Sequence, residues 1–139
     1  MMSKNYTILV GDCKGVDSMV QSYLNSKNYS HVLVYCSGPT CRNLINPNWT
    51  VNHIQVQPGI KGRAFYEQKD IAMSNDADYG FAIWDGVSVG TRRNIDRMIA
   101  SKKYVKIFRS DLNIFETYNA ASVSEKGMKK NEPSNQISM

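Results

Sequence analysis

The densest run of chemically capable residues is Trp84 to Asn94, Trp-Asp-Gly-Val-Ser-Val-Gly-Thr-Arg-Arg-Asn. A carboxylate, two glycines, two hydroxyls and paired arginines in so short a turn suit an anion. Phe81 to Trp84 is a short apolar run that reads as a buried strand. Gly86 and Gly90 permit backbone geometries that other residues resist, and Thr91 is placed to cap the helix that follows. Free backbone N–H groups and the positive end of a helix dipole then face the turn, a common way to hold phosphate. Two further turns carry similar types: "GDCKGVD" at 11 to 17 and "CSGPTCRN" at 36 to 43. In the second, Arg42 is a candidate anion ligand on its chemistry alone.

The elements that must position these turns alternate along the chain. Strands are expected at Tyr6 to Val10, His31 to Cys36, Thr50 to Val56, Tyr79 to Trp84 and Tyr104 to Phe108. From Val16 the apolar residues Val16, Met19, Val20, Tyr23 and Leu24 fall on one helical face, a second helix runs through "AFYEQKDIAMSND", and Ile95, Met98 and Ile99 stripe a third. This pattern predicts an α/β domain with a mainly parallel, doubly wound sheet in three layers, Rossmann-like in form. The strands Tyr6 to Val10 and Tyr79 to Trp84 are expected at its centre. In such sheets ligands lie beyond the carboxyl ends of the strands, so all three turns are expected to open on one edge.

Composition sets the limits. The chain has 139 residues, enough for one domain with a real core. The ligand domain is expected over residues 1–110, with 111–139 a C-terminal extension ending in a polar tail. No apolar run is long enough to span a membrane and no signal peptide is evident, so the expectation is a cytoplasmic protein without a membrane partner. The net charge of +5 permits nucleic-acid binding, but the basic residues are dispersed and lack interleaved aromatics, which disfavours it. Three cysteines without a CxxC pair encode no obvious disulfide framework or zinc site. Neither His31 nor His53 has partners at ligand spacing, so no metal and no cofactor are expected.

Two segments carry a resemblance. "ILVGDCKGVDSMVQSYL" resembles the first strand, turn and helix of the SLOG superfamily, which includes the LOG phosphoribohydrolases and the DprA/Smf proteins. "ADYGFAIWDGVSVGTRRNIDRMIASKKYVKIF" is similar to that group's second signature. The match runs from about Tyr6 to Phe108 and omits the 37–60 connection and the tail. The resemblance implies a nucleotide-derived ligand: a nucleoside monophosphate, a ribosyl phosphate or an ADP-ribose-like signal. It further implies that Gly11, Asp12 and Gly15 lie under the ligand, that Ser88, Gly90 and Thr91 hold phosphate, that Arg63 lies near the phosphate, and that Asp85 reaches a ribose hydroxyl or the reaction centre. LOG-like members usually assemble, so a homo-oligomer is expected.

One departure bears on activity. Hydrolytic members carry Glu where this chain has Asn94, and an amide cannot serve as carboxylate nucleophile or general base. Binding, as a sensor or a sequestering protein, is therefore expected ahead of N-glycosidic cleavage or transfer, with Asp85 or Asp17 the substitute carboxylate in the second case. Plainer roles compete: Asp85 and Gly86 as a tight turn, Arg92 and Arg93 as a solvated face with a partner acid, Lys69 and Asp70 on an outer helix face, and Trp84 as core instead of a base-stacking platform.

Overall fold

A computed structural model describes residues 6–118 and 136–138 of the chain. In chain order the elements are β1 (Thr7–Gly11), α1 (Val16–Ser26), β2 (Val32–Ser37), β3 (Thr50–Ile54), α2 (Gly62–Asp76), β4 (Tyr79–Trp84), α3 (Val89–Ala100), β5 (Tyr104–Arg109), β6 (Ile114–Tyr118) and β7 (Gln136–Ser138). The fold is α/β. The strands are ordered β3-β2-β1-β7-β4-β5-β6. Every pairing is parallel except that of β5 with β6.

The short β7 joins the parallel β3-β2-β1 half to the mixed β4-β5-β6 half. It pairs Ile8 with Ile137 on one side and Tyr79 with Ile137 on the other. Among the described residues two strands therefore lie beyond residue 110, and the three-residue β7, in the expected tail, sits at the middle of the sheet. Residues 119–135, with Lys126, Lys129 and Lys130, lie outside the described residues. Both β1 and β4 are interior, each flanked by strands on both sides.

Side-chain alternation divides the core. Ile8 and Val10 of β1 pack with Leu24 of α1, Val32, Val34, Cys36 and Trp49. Leu9, between them, packs with Met73 of α2 and with Ile95 and Met98 of α3. This is the period-two alternation of a strand with apolar groups on both faces.

Three local expectations are corrected. On α1, Met19 and Tyr23 are exposed, and the inward face carries Asp17, Val20, Gln21 and Leu24. Gln21 is fully buried because it anchors the 38–49 connection: its Nε2 donates to the Gly11 and Asn43 carbonyls, and its Oε1 accepts from the Ile45 N–H. A polar residue with that many backbone partners is worth burying, which apolar counting misses. Helix α3 begins at Val89 with Ser88 as its N-cap, so Thr91 lies within the first turn and is not the cap. Cys36 and Cys41 form a disulfide, five residues apart in sequence, leaving Cys13 free and exposed. The turn after β2 brings those two thiols together without any recognisable motif.

No helix among the described residues is long and apolar enough to cross a membrane.

Candidate functional site

The turns after β1, β2 and β4 converge with α2 on a cavity of about 660 Å³, a size that admits a nucleotide. Of the residues singled out from the sequence, Arg42, Arg63, Asp85, Ser88, Gly90, Thr91 and Asn94 line it. Gly11, Asp12, Gly15, Trp84 and Gly86 do not.

The five outside have structural reasons of their own. Asp12 is 1% exposed and accepts from the Arg42 backbone N–H at 2.7 Å and from its Nη2 at 3.2 Å. It is the peg that holds the 38–49 connection against the first turn. A Cβ on Gly11 would stand 2.5 Å from Asp17 Oδ2 and 2.8 Å from Lys69 Nζ, so this glycine makes room for an ion pair. Gly86, at φ +83, is pressed by Arg109 and Asp111 in the same way. Gly15 is the exposed N-cap of α1. Trp84 donates its indole N–H to the Ser88 carbonyl at 2.9 Å, and the Arg92 and Arg109 guanidiniums lie 5.5 and 5.0 Å from its ring. The cavity is thus denied this ring as a stacking platform.

On the α3 side, Asp85 Oδ1 accepts the N–H groups of Val87 and Ser88 at 2.9 and 2.8 Å. These bonds hold its carboxyl below the usual range, the Ser88 bond contributing most. The tight-turn role is real, and an anchored, low-pKa carboxylate is a poor proton acceptor near neutrality. Helix α3 receives no side-chain cap, and its first intrahelical bond comes from the Arg92 N–H to the Ser88 carbonyl. The amides of Val89, Gly90 and Thr91 are left without protein acceptors among the described residues. A Cβ on Gly90 would meet nothing within 4 Å, so space stands open over this helix end.

Charge is nearly balanced around the cavity: Lys14, Arg42, Arg63, Lys69 and Arg93 against Asp17, Glu67, Asp70 and Asp85. What matters is which charges are spent. Arg93 and Arg97 both engage Glu67, and Arg92 pairs with Asp96 one turn on, as expected of a face with partner acids. Asn94 Oδ1 accepts from Arg97, so the amide is tied to the same Glu67 network. Arg42 is spent on Asp12 and lies 3.8 Å over the Tyr66 ring. Lys14 and Arg63 make no ion pair among the described residues.

The sequence puts Lys69 and Asp70 on an outer face of α2; the structure overturns this, burying Lys69 and setting Asp70 on the cavity wall. Lys69 is buried, its side chain 4% exposed, with Nζ 2.6 Å from Asp70 Oδ1 and 3.9 Å from Asp17 Oδ2. Burial pulls the ammonium down, but Asp70 and Asp17 outweigh it and keep it protonated, above its ordinary value. Burial dominates at Asp17 and pushes its carboxyl up, against the lowering pull of Lys69. The available signal was spacing: Phe65, Lys69 and Met73 recur every four residues along the inward stripe of α2. Tyr66 and Glu67 were missed for want of any motif.

Among the described residues the one cluster with metal-ligand types is Asp12, Cys36 and Cys41, whose ligand atoms lie within 4.8 Å of one another. Its sulfurs are bonded together and its carboxylate is engaged by Arg42, so the donor set does not suit a metal in this form.

Compared with protein-family models, with curated proteins and with solved structures, the chain has no match in any of the three.

Proposed function

We propose that the chain binds a nucleotide-derived small molecule, a nucleoside monophosphate or an ADP-ribose-like compound, as a sensor or sequestering protein on a SLOG-like frame. The frame of this reading is a three-layer, doubly wound Rossmann-like sheet. The two core clusters on alternate residues of β1, one drawing on α1 and the other on α2 and α3, support it.

The observation that carries the ligand class is the uncapped N-terminus of α3 opening into the cavity beside Ser88 and Thr91. Aligned amides and a helix dipole favour an anion there. Lys14 and Arg63, without carboxylate partners among the described residues, supply unspent positive charge around the same cavity. Tyr66, 39% exposed on the cavity wall, carries the Arg42 guanidinium on its ring.

Binding stands ahead of hydrolysis because cleavage of an N-glycosidic bond needs a free negative group near the sugar carbon. Asn94 has none, Glu67 is held by two arginines, Asp85 is committed to its turn, and Asp17 and Asp70 flank the Lys69 ammonium. A second reading, N-glycosidic hydrolysis or transfer, is favoured by Asp17, whose raised pKa and place on the cavity wall suit a proton-transfer group.

Calorimetry against a nucleotide panel, with chromatography for released base, tests both. The expected result is saturable binding with base release slow or undetectable, and weak release created by Asn94→Glu. Rapid release by the unmodified chain, abolished by Asp17→Asn, would install the enzyme in place of the sensor.

A further inference from the structure

The cavity holds hydrogen-bonding capacity that the protein itself does not use. Lys69 Nζ has three N–H groups and spends one on Asp70 Oδ1 at 2.6 Å. Asp17 Oδ2, at 3.9 Å, is within Coulombic reach but too far for a hydrogen bond. That oxygen takes the Cys13 backbone N–H at 2.9 Å, and Asp17 Oδ1 has no donor among the described residues. Lys69, Asp17 and Asp70 all line the cavity. A buried ammonium with unspent donors and a carboxylate with an unspent oxygen therefore adjoin the same space.

The chemistry of that spot is selective. A phosphate placed there meets two carboxylates for one ammonium, whereas the uncapped first turn of α3, on the same cavity, carries no acid against it. A carbonyl accepts from Lys69 and gives Asp17 nothing. A hydroxyl does both, accepting from the ammonium and donating to a carboxylate. Two carboxylates bridged by one ammonium offer this arrangement twice, which suits two neighbouring hydroxyls.

We infer that Asp17, Lys69 and Asp70 form a subsite for the vicinal hydroxyls of a ribose, so that the ligand is a ribonucleotide derivative and deoxyribonucleotides are rejected. The inference rests on the nucleotide-binding reading above and adds the sugar to it. Loss of one hydroxyl leaves a buried polar group unpaired, which lowers affinity about tenfold or more.

The experiment is calorimetry of the full chain with the four ribonucleoside 5′-monophosphates, their 2′-deoxy counterparts and inorganic phosphate. At least one ribonucleotide is expected to bind about tenfold tighter than its deoxy form, and Asp17→Asn to bring that ratio close to one. Lys69→Met is expected to do the same, with thermal melting to establish that it folds; Asp17→Asn, which keeps the side-chain shape, decides the matter if it does not. Equal affinity for the ribo and deoxy forms overturns the sugar subsite while leaving nucleotide binding intact. So does a ratio that survives Asp17→Asn, or discrimination among bases that disappears in that variant in place of discrimination among sugars. Failure of every nucleotide to bind overturns the subsite together with the reading it rests on.

Discussion

Replacing Gly90 by valine separates the fold from the ligand more cleanly than any other single change. Gly90 is the second residue of α3, and a Cβ built there meets no atom within 4 Å. Valine is a better helix former than glycine by a few tenths of a kcal/mol, so the fold is expected to be unharmed or slightly stabilised. Its branched side chain, however, occupies the space through which an anion reaches the amides of Gly90 and Thr91. Two hydrogen bonds to a charged group, at about 1.5–3 kcal/mol each, are then lost, or about 3–6 kcal/mol together. At 1.4 kcal/mol per decade that is at least a hundredfold in affinity. Gly90→Ala, with a single methyl, is expected to fall between wild type and valine. Calorimetry with the nucleotide panel reads the affinity, and a thermal melt unchanged within about 2 °C shows the fold intact. A loss smaller than threefold in a fully folded Gly90→Val protein means that no anion sits on the α3 amides, and the site has been misplaced.

Other outcomes follow from the same geometry. Gly11→Ala pushes a methyl against the Asp17 carboxylate and the Lys69 ammonium and is expected to destabilise the fold by about 1–3 kcal/mol in urea unfolding; a neutral result means the pair is not seated there. For Asp17 the sign is set by burial: the folded pKa is raised above the unfolded value near 3.8, so the folded state holds the proton longer. Its contribution to stability is full below that value and is lost as pH rises through the raised folded pKa. Asp17→Asn should therefore gain stability relative to wild type as pH climbs from 3.8, in melts taken across that range, and parallel curves would refute the assignment. Thiol titration of the denatured chain is expected to find one cysteine, Cys13, before reduction and three after it; three from the outset would show Cys36 and Cys41 unpaired.

Much of the framework was legible in the residues because it depends on local patterns. Short apolar runs ending in glycine-containing turns marked β1 and β4, and the Ile95–Met98–Ile99 spacing marked the inward face of α3. Ser88 before α3, Gly90 and Thr91 in its first turn, and Arg63 at the start of α2 were picked out from residue type together with the resemblance, and the fold brings them to one cavity. Tertiary structure decided whatever depended on a partner distant in sequence. Gln21 is interior because its partners come from residues 11, 43 and 45, and Lys69 is interior because its neighbour Asp70 bonds it and Asp17 adds a second carboxylate from another helix. Asp12 faces Arg42 and leaves the cavity for the same reason, while Trp84 is covered by Arg109 from a neighbouring strand. Burying a polar or charged group costs free energy that only such a partner offsets, and a partner ten to fifty-two residues away leaves no periodic trace in the chain.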